Sequence, residues 1–228
     1  MMLRRILRIC YSKLGMSRFI GHLDIVRLMT RAISRSSIPA FYSQGFSPHM
    51  KLSFGPSLPL GQTSDCEFLD VAINEAELSG TSDSWRQELQ AYLPEDITIK
   101  SIELLDESTP SLAKAIDRAL YEITIPAEFA PPNGKLARFL QMEKIEIEKA
   151  SKEGTSIIDI KGSIESLNRI DLSDSSVKIS LYELVTIIGQ VAYATPALVL
   201  KALLGCDWQT VPGLRIHRKK LYSSTGSL

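Results

Sequence analysis

Between Phe19 and Ser36, residues that can face an apolar core return every three or four positions: Phe19, Leu23, Val26, Met29, Thr30 and Ile33. At about 100° of rotation per residue these positions share one side, so the spacing predicts an amphipathic helix. Asp24, Arg27, Arg31 and Arg35 fall on the opposite side at intervals of three and four. Ahead of the helix, Leu3, Ile6, Leu7, Ile9 and Tyr11 surround Arg4, Arg5 and Arg8. That pattern predicts a strand over Arg4–Ser12 with one basic face.

Downstream, Ile38-Pro39 stops the helix, because proline disfavours a helical residue before it. Ala40–Ser43 reads as a short strand, Gly45–His49 as a loop, Met50–Phe54 as an alternating strand, Gly55–Gly61 as a second loop and Cys66–Ile73 as a strand. Asn74–Ser79 reads as a turn or helix start. Ser82 is placed to cap a helix running to Tyr92, which Pro94 ends. Ile97–Leu104 alternates again as a strand. Strand, helix, strand, strand, helix, strand is the split βαβ order of a ferredoxin-like sandwich.

Asp106–Pro110 is a polar break and a candidate linker. A second cycle follows: a helix over Ser111–Ala119, a strand over Tyr121–Pro126, a helix opened by Pro131-Pro132 and reaching Met142, and strands over Ile145–Lys149 and Ser156–Lys161 around a turn at Lys152–Gly154. Leu167–Leu172 has no decided pattern. Val177–Leu184 reads as a strand, Ile187–Ala192 as buried strand or linker, Pro196–Leu204 as a helix ended by Gly205, and Leu214–Tyr222 as a closing strand. The expected fold is α+β, with two tandem ferredoxin-like (split βαβ) sandwiches. The expected domains are 1–106, which is basic, and 107–228.

Composition changes this picture little, since 44% hydrophobic and 23% charged residues suit a globular domain with a core. The distribution of charge changes it more. Residues 1–51 hold nine Lys and Arg against one acid, a net charge of +8 in a chain whose total is zero. Such asymmetry points to a nucleic-acid or membrane surface. No apolar run reaches about 18 residues, so no membrane span is expected. Met1–Cys10 lacks the apolar centre of a signal peptide. Cys10, Cys66 and Cys206 are sparse and form no CxxC, which fits a reducing cytoplasm and gives no sign of a metal or cluster cofactor.

Like charges at Arg27/Arg31 and Arg31/Arg35 cost an isolated helix roughly 0.2–0.5 kcal/mol per pair. They stand either as a solvated polar face or as a stripe awaiting phosphates or an acidic partner. Single-stranded RNA also needs aromatic platforms. Phe41 and Phe54 read as core, whereas Tyr42 and Phe46, beside Gly45 and Pro48, read as exposed. The candidate binding residues are Arg18, His22, Asp24, Arg27, Arg31, Arg35, Tyr42, Gly45, Phe46, His49 and Lys51. His22 lies next to the apolar side of the helix, where a packed ring and an acid/base or phosphate-contacting ring are both open. No nucleophile, metal or phosphate-loop motif occurs. A metal-independent RNA-processing enzyme could use His22 or His49 with Tyr42, while Asp24, two residues from His22 on a helix, diverges from it.

A resemblance rests on Tyr11/Lys13/Gly15, Arg18-Phe19, His22-Leu23-Asp24, Arg27, Arg31-Ala32, Tyr42-Ser43, Gly45-Phe46, Pro48, Lys51, Ser53-Phe54, Leu58-Pro59, Gly61, Ser64 and Glu67. These residues resemble the radical-SAM-linked bacterial domain of unknown function, which occurs fused to or encoded beside B12-binding radical SAM proteins. The likeness is dense over residues 11–67 and faint beyond residue 75. It implies an accessory role, with a radical SAM protein as partner and the radical chemistry belonging to that partner. Combined with the basic stretch, the expected function is a non-catalytic RNA-binding or substrate-presenting protein. A docking module without RNA contact is the alternative.

Overall fold

In a computed structural model, which describes residues 4–151, 154–171, 178–189 and 194–226, the chain divides into a unit ending at Ile116 and a unit of Asp117–Gly226. The alternation at the start of the chain makes Arg4–Lys13 the strand β1. Leu7, Ile9 and Tyr11 point into the core, and Arg4, Ile6 and Arg8 to the other side of the sheet. Helix α1 is His22–Arg35, β2 Leu52–Phe54, β3 Thr63–Asn74, α2 Ser82–Gln90 and β4 Ile97–Asp106. Strand β1 pairs antiparallel with both β3 and β4, and β2 pairs antiparallel with β3, giving the order β4-β1-β3-β2. A four-residue helix, α3 (Leu112–Ala115), closes this unit.

Helix α1 buries Ile25, Met29, Ala32 and Ile33, a stripe rotated from the expected one. Phe19 belongs to a 3-10 turn, Gly15–Phe19, that ends before the helix begins. Its phase is therefore not the helix's phase, and it is exposed, as is Leu23 at 69%. Leu69, Val71 and Ile73 of β3 with Trp85 and Leu89 of α2 complete the core. Thr81, one residue before the expected cap, accepts from Ser84 N–H and starts α2. The expected strand Ala40–Ser43 is reduced to bridges at Ala40–Ile73 and Tyr42–Met50. The segment divides its hydrogen bonds, Phe41 N–H donating to the Ala72 carbonyl and Ser43 N–H to the His49 carbonyl, so it makes isolated bridges to two partners.

The second unit repeats the order with an insertion. Its strands are β5 (Arg118–Pro126), the pair β6 (Glu146–Ser151) and β7 (Gly154–Asp159), β8 (Ile164–Ile170), β9 (Ile179–Ile187) and β10 (Arg215–Tyr222). Helices α4 (Asn133–Gln141) and α5 (Pro196–Leu204) follow β5 and β9. The sheet order is β10-β5-β9-β8, all antiparallel, while β6 and β7 form a separate hairpin. Strand β5 starts at Arg118, so the expected helix over Ser111–Ala119 stops early. Leu167 lies within β8, whereas Leu172 and Val177 fall outside the described residues, as do Lys152-Glu153 and Gln190–Ala192. Thr195 caps α5 by accepting from Leu198 N–H, and Gly205 ends it with φ 84°. Among the described residues no helix is long and apolar enough to cross a membrane.

Candidate nucleic-acid interface

The basic strand is neutralised from within. Arg8, 3% exposed, donates from Nε and Nη2 to the two carboxylate oxygens of Asp70 on β3, each at 2.8 Å. Its Nη2 also reaches the Pro110 carbonyl at 3.3 Å. Arg5 meets Glu75 at 3.2 Å and Asp106 at 3.9 Å, and Arg4 meets Glu107 at 3.3 Å. The expectation that β1 presents a basic face is therefore corrected. Its three arginines hold acids that lie far downstream in sequence, and the charge of the first fifty residues is partly internal.

The exposed charge lies on α1. Asp24 pairs with Arg27 at 2.9 Å across one turn, an exposed pair of small energetic weight. Arg31 and Arg35 have no acidic partner among the described residues. Arg35 donates to the Arg31 carbonyl at 3.3 Å, and its guanidinium stands 5.8 Å from the centre of the Tyr92 ring. The two cations thus lie along the last turns of the helix, where the macrodipole favours positive charge.

A hairpin tip comes up beside those turns. Tyr42 OH lies 3.5 Å from Ser34 Oγ of α1. The Ser43 N–H donates to the His49 carbonyl, and the His49 N–H to Ser43 Oγ, closing the tip. Within it Gly45 adopts φ 124°, which side-chain-bearing residues rarely take, although a β-carbon there would meet only open space. Phe46 follows fully exposed, and Tyr42 and His49 are exposed too. Phe54 packs partly against the core, as expected of it. Lys51, just past the hairpin, is exposed and has no acidic partner among the described residues.

Of the expected acid/base pairings, the structure separates His22 from Tyr42, whereas His49 and Tyr42 share the hairpin. His22 begins α1, and Ser34, which holds Tyr42, comes twelve residues later, about 18 Å along the axis at ~1.5 Å per residue. Instead His22, exposed rather than packed, sets its ring edge-on to Phe54 with centroids 5.5 Å apart. It stands at the mouth of a small cleft with Tyr11, Lys13, Ser57 and Glu67. Lys13 is 2% and Glu67 5% exposed, and Lys13 Nζ donates to the Ile20 carbonyl at 2.7 Å. Burying such groups costs several kcal/mol per ion unless they are paired and hydrogen-bonded, so this cleft is tightly specified. The signal for Lys13 is present in the sequence: in a strand it falls on the same side as Leu7, Ile9 and Tyr11, which face the core.

Arg18 stacks over Phe19 at 4.9 Å, and its carbonyl accepts from Gly61 N–H, which draws Leu60 alongside the 3-10 turn. Met16, Phe19, Leu23 and Leu60 are all more than half exposed there. Among the described residues no group of three or more His, Cys, Asp or Glu side chains is placed to hold a metal ion.

An α+β chain with these motifs at these spacings falls within a conserved bacterial class. It belongs to the family described as uncharacterized protein conserved in bacteria (DUF2344), whose pattern matches residues 6–196. No curated protein matches the chain. Among solved structures it is similar to a chain in the crystal structure of a Cbf5-Nop10-Gar1 complex, at 9% identity and a TM-score of 0.46. That match covers 96% of this chain and 50% of the other, so the chain spans half the length of the protein it matches. It is also similar to an unknown protein from Galdieria sulphuraria, at 12% identity and a TM-score of 0.26, covering 96% and 98% of the two chains.

Proposed function

We propose that the first unit binds single-stranded RNA and presents it to a radical SAM enzyme, without itself catalysing the reaction. The observation that carries this reading is the juxtaposition of two acid-free arginines, Arg31 and Arg35, with a hairpin whose Tyr42 and Phe46 are exposed. Cations bind phosphates and flat rings receive unstacked bases, and both elements sit at one end of α1. The strand orders β4-β1-β3-β2 and β10-β5-β9-β8 support reading the units as tandem ferredoxin-like sandwiches, the second carrying the β6–β7 hairpin as an insertion. The test is fluorescence anisotropy with a labelled oligouridylate across a salt series. Arg31→Ala with Arg35→Ala should flatten the slope of log affinity against log salt by roughly 0.7 for each phosphate no longer neutralised. An unchanged slope, or no binding by the wild type at low salt, overturns the reading.

A docking role for the same unit has its own support. Met16, Phe19, Leu23 and Leu60 expose apolar surface, with Arg18 and Arg27 nearby in the chain. On this reading the partner for that surface is a B12-binding radical SAM protein. Phe19→Ser with Leu23→Ser should abolish coelution with that protein while leaving RNA affinity intact. Coelution unaffected by the double change removes the docking role.

A further inference from the structure

We propose that a groove on the side of the first sheet away from α1 and α2 is a nucleotide site, taking one nucleobase and its phosphate. The groove encloses about 420 Å³, within the range of about 300–1,000 Å³ usual for small-molecule sites. Its floor is Ile6 of β1 and Ala72 of β3, which lie directly opposite each other in the strand register. Ile6, half-buried beside the 4% exposed Ala72, supplies apolar surface for the face of a base. The groove's two acids already have partners: Asp70 receives Arg8 through two bonds, and Glu107 receives Arg4. Lys51 at the rim has no acidic partner among the described residues, so one positive charge is left for a ligand. A lysine ammonium binds phosphate as a point charge and does not demand a fixed geometry.

The hydroxyls of Ser53, Thr109 and Ser111 also line the groove, and can meet ribose or base edges. A bare inorganic anion would use Lys51 and leave Ile6 wet. An apolar ligand would leave Lys51 unused. A nucleoside monophosphate satisfies both. The site deepens the RNA-binding reading, on which it partly rests, because Lys51 follows the Tyr42–Met50 bridge by one residue. The same chemistry is offered by a nucleotide within a strand or by a free nucleotide.

The test is titration calorimetry with AMP and, separately, with an octauridylate, on the full chain and on Lys51→Glu, Ser53→Trp and Arg31→Ala/Arg35→Ala. Ser53 is an exposed position of β2, so tryptophan there fills the groove without entering the core. The expected result is AMP binding by the wild type, weakened about tenfold or more by K51E, as loss of a charged hydrogen bond implies, and by S53W. AMP binding should be untouched by the double arginine change, with urea midpoints unaltered in K51E. Displacement of octauridylate by AMP assigns the groove to a strand, and binding of both together assigns it to a free nucleotide. Either supports the site. Octauridylate binding without AMP binding, and without an effect of K51E, overturns the groove and leaves the RNA reading standing. Full AMP affinity in S53W or K51E overturns it as well, and absence of both ligands overturns both readings.

Discussion

Arg8 and Asp70 face each other across β1 and β3 in a two-bond ion pair, at 2.8 Å per bond, with both side chains almost wholly out of water. Removing one partner from such a pair costs about 3–5 kcal/mol, because the other charge is left buried and uncompensated. Arg8→Ala or Asp70→Ala alone should therefore lower stability by about that amount in urea unfolding. Arg8→Met with Asp70→Leu should recover most of the loss. A double variant no better than either single one would show that the pair itself stabilises the sheet.

Arg27 differs from its neighbours because Asp24 holds it. Arg27→Ala should weaken RNA binding less than Arg31→Ala, and Asp24→Asn should strengthen it by releasing Arg27. Folding stability should move by no more than about 0.5 kcal/mol in each case. Anisotropy at fixed salt, paired with urea unfolding, checks both.

Gly15 has φ 47°, and a β-carbon there would land on the Asp96 carboxylate. That carboxylate accepts from the N–H groups of Met16 at 2.7 Å and Ser17 at 3.2 Å, fixing the turn that precedes α1. Gly15→Ala should cost about 1–3 kcal/mol from backbone strain alone, before the clash is added. Thermal unfolding of G15A beside the wild type measures it.

Burial works to raise the Asp117 carboxyl, but the hydroxyl and N–H of Ser224, followed by Arg118, outweigh it and hold the group below its ordinary range. A depressed carboxyl stabilises the fold above its unfolded value of about 3.9, and that contribution is lost as pH falls through the folded value. The advantage of the wild type over Asp117→Asn should accordingly be constant at neutral pH and shrink below about pH 4. Parallel denaturation curves of the two proteins at several pH values check this, and an advantage that persists in acid is the contrary result.

The strand–helix order is legible where each element's own period dominates. β1, α2, β4, α5 and β10 follow from alternation, caps and punctuation that act within a few residues. The core-facing side of α1 is misplaced by periodicity because Phe19 belongs to the turn before it. The fate of the β1 arginines is not legible at all. Arg8 and Asp70 are 62 residues apart, and whether a basic strand meets phosphate or carboxylate depends on which strand pairs beside it. The exposure of Phe46 can be read from its glycine and proline neighbours. The cleft of Lys13, His22 and Glu67 needs the register that places Tyr11 opposite Glu67.

The internal matching of β1 has a consequence for synthesis. Arg8 meets Asp70, Arg5 meets Glu75 and Asp106, and Arg4 meets Glu107, so each basic residue must wait for an acid made at least 62 residues later. At roughly 5–20 residues per second, that wait lasts several seconds or longer. While it lasts, the emerging segment carries its whole charge of +8 uncompensated, beside a ribosome whose surface is itself polyanionic RNA. The finished protein hides a part of that charge, and the growing chain displays all of it.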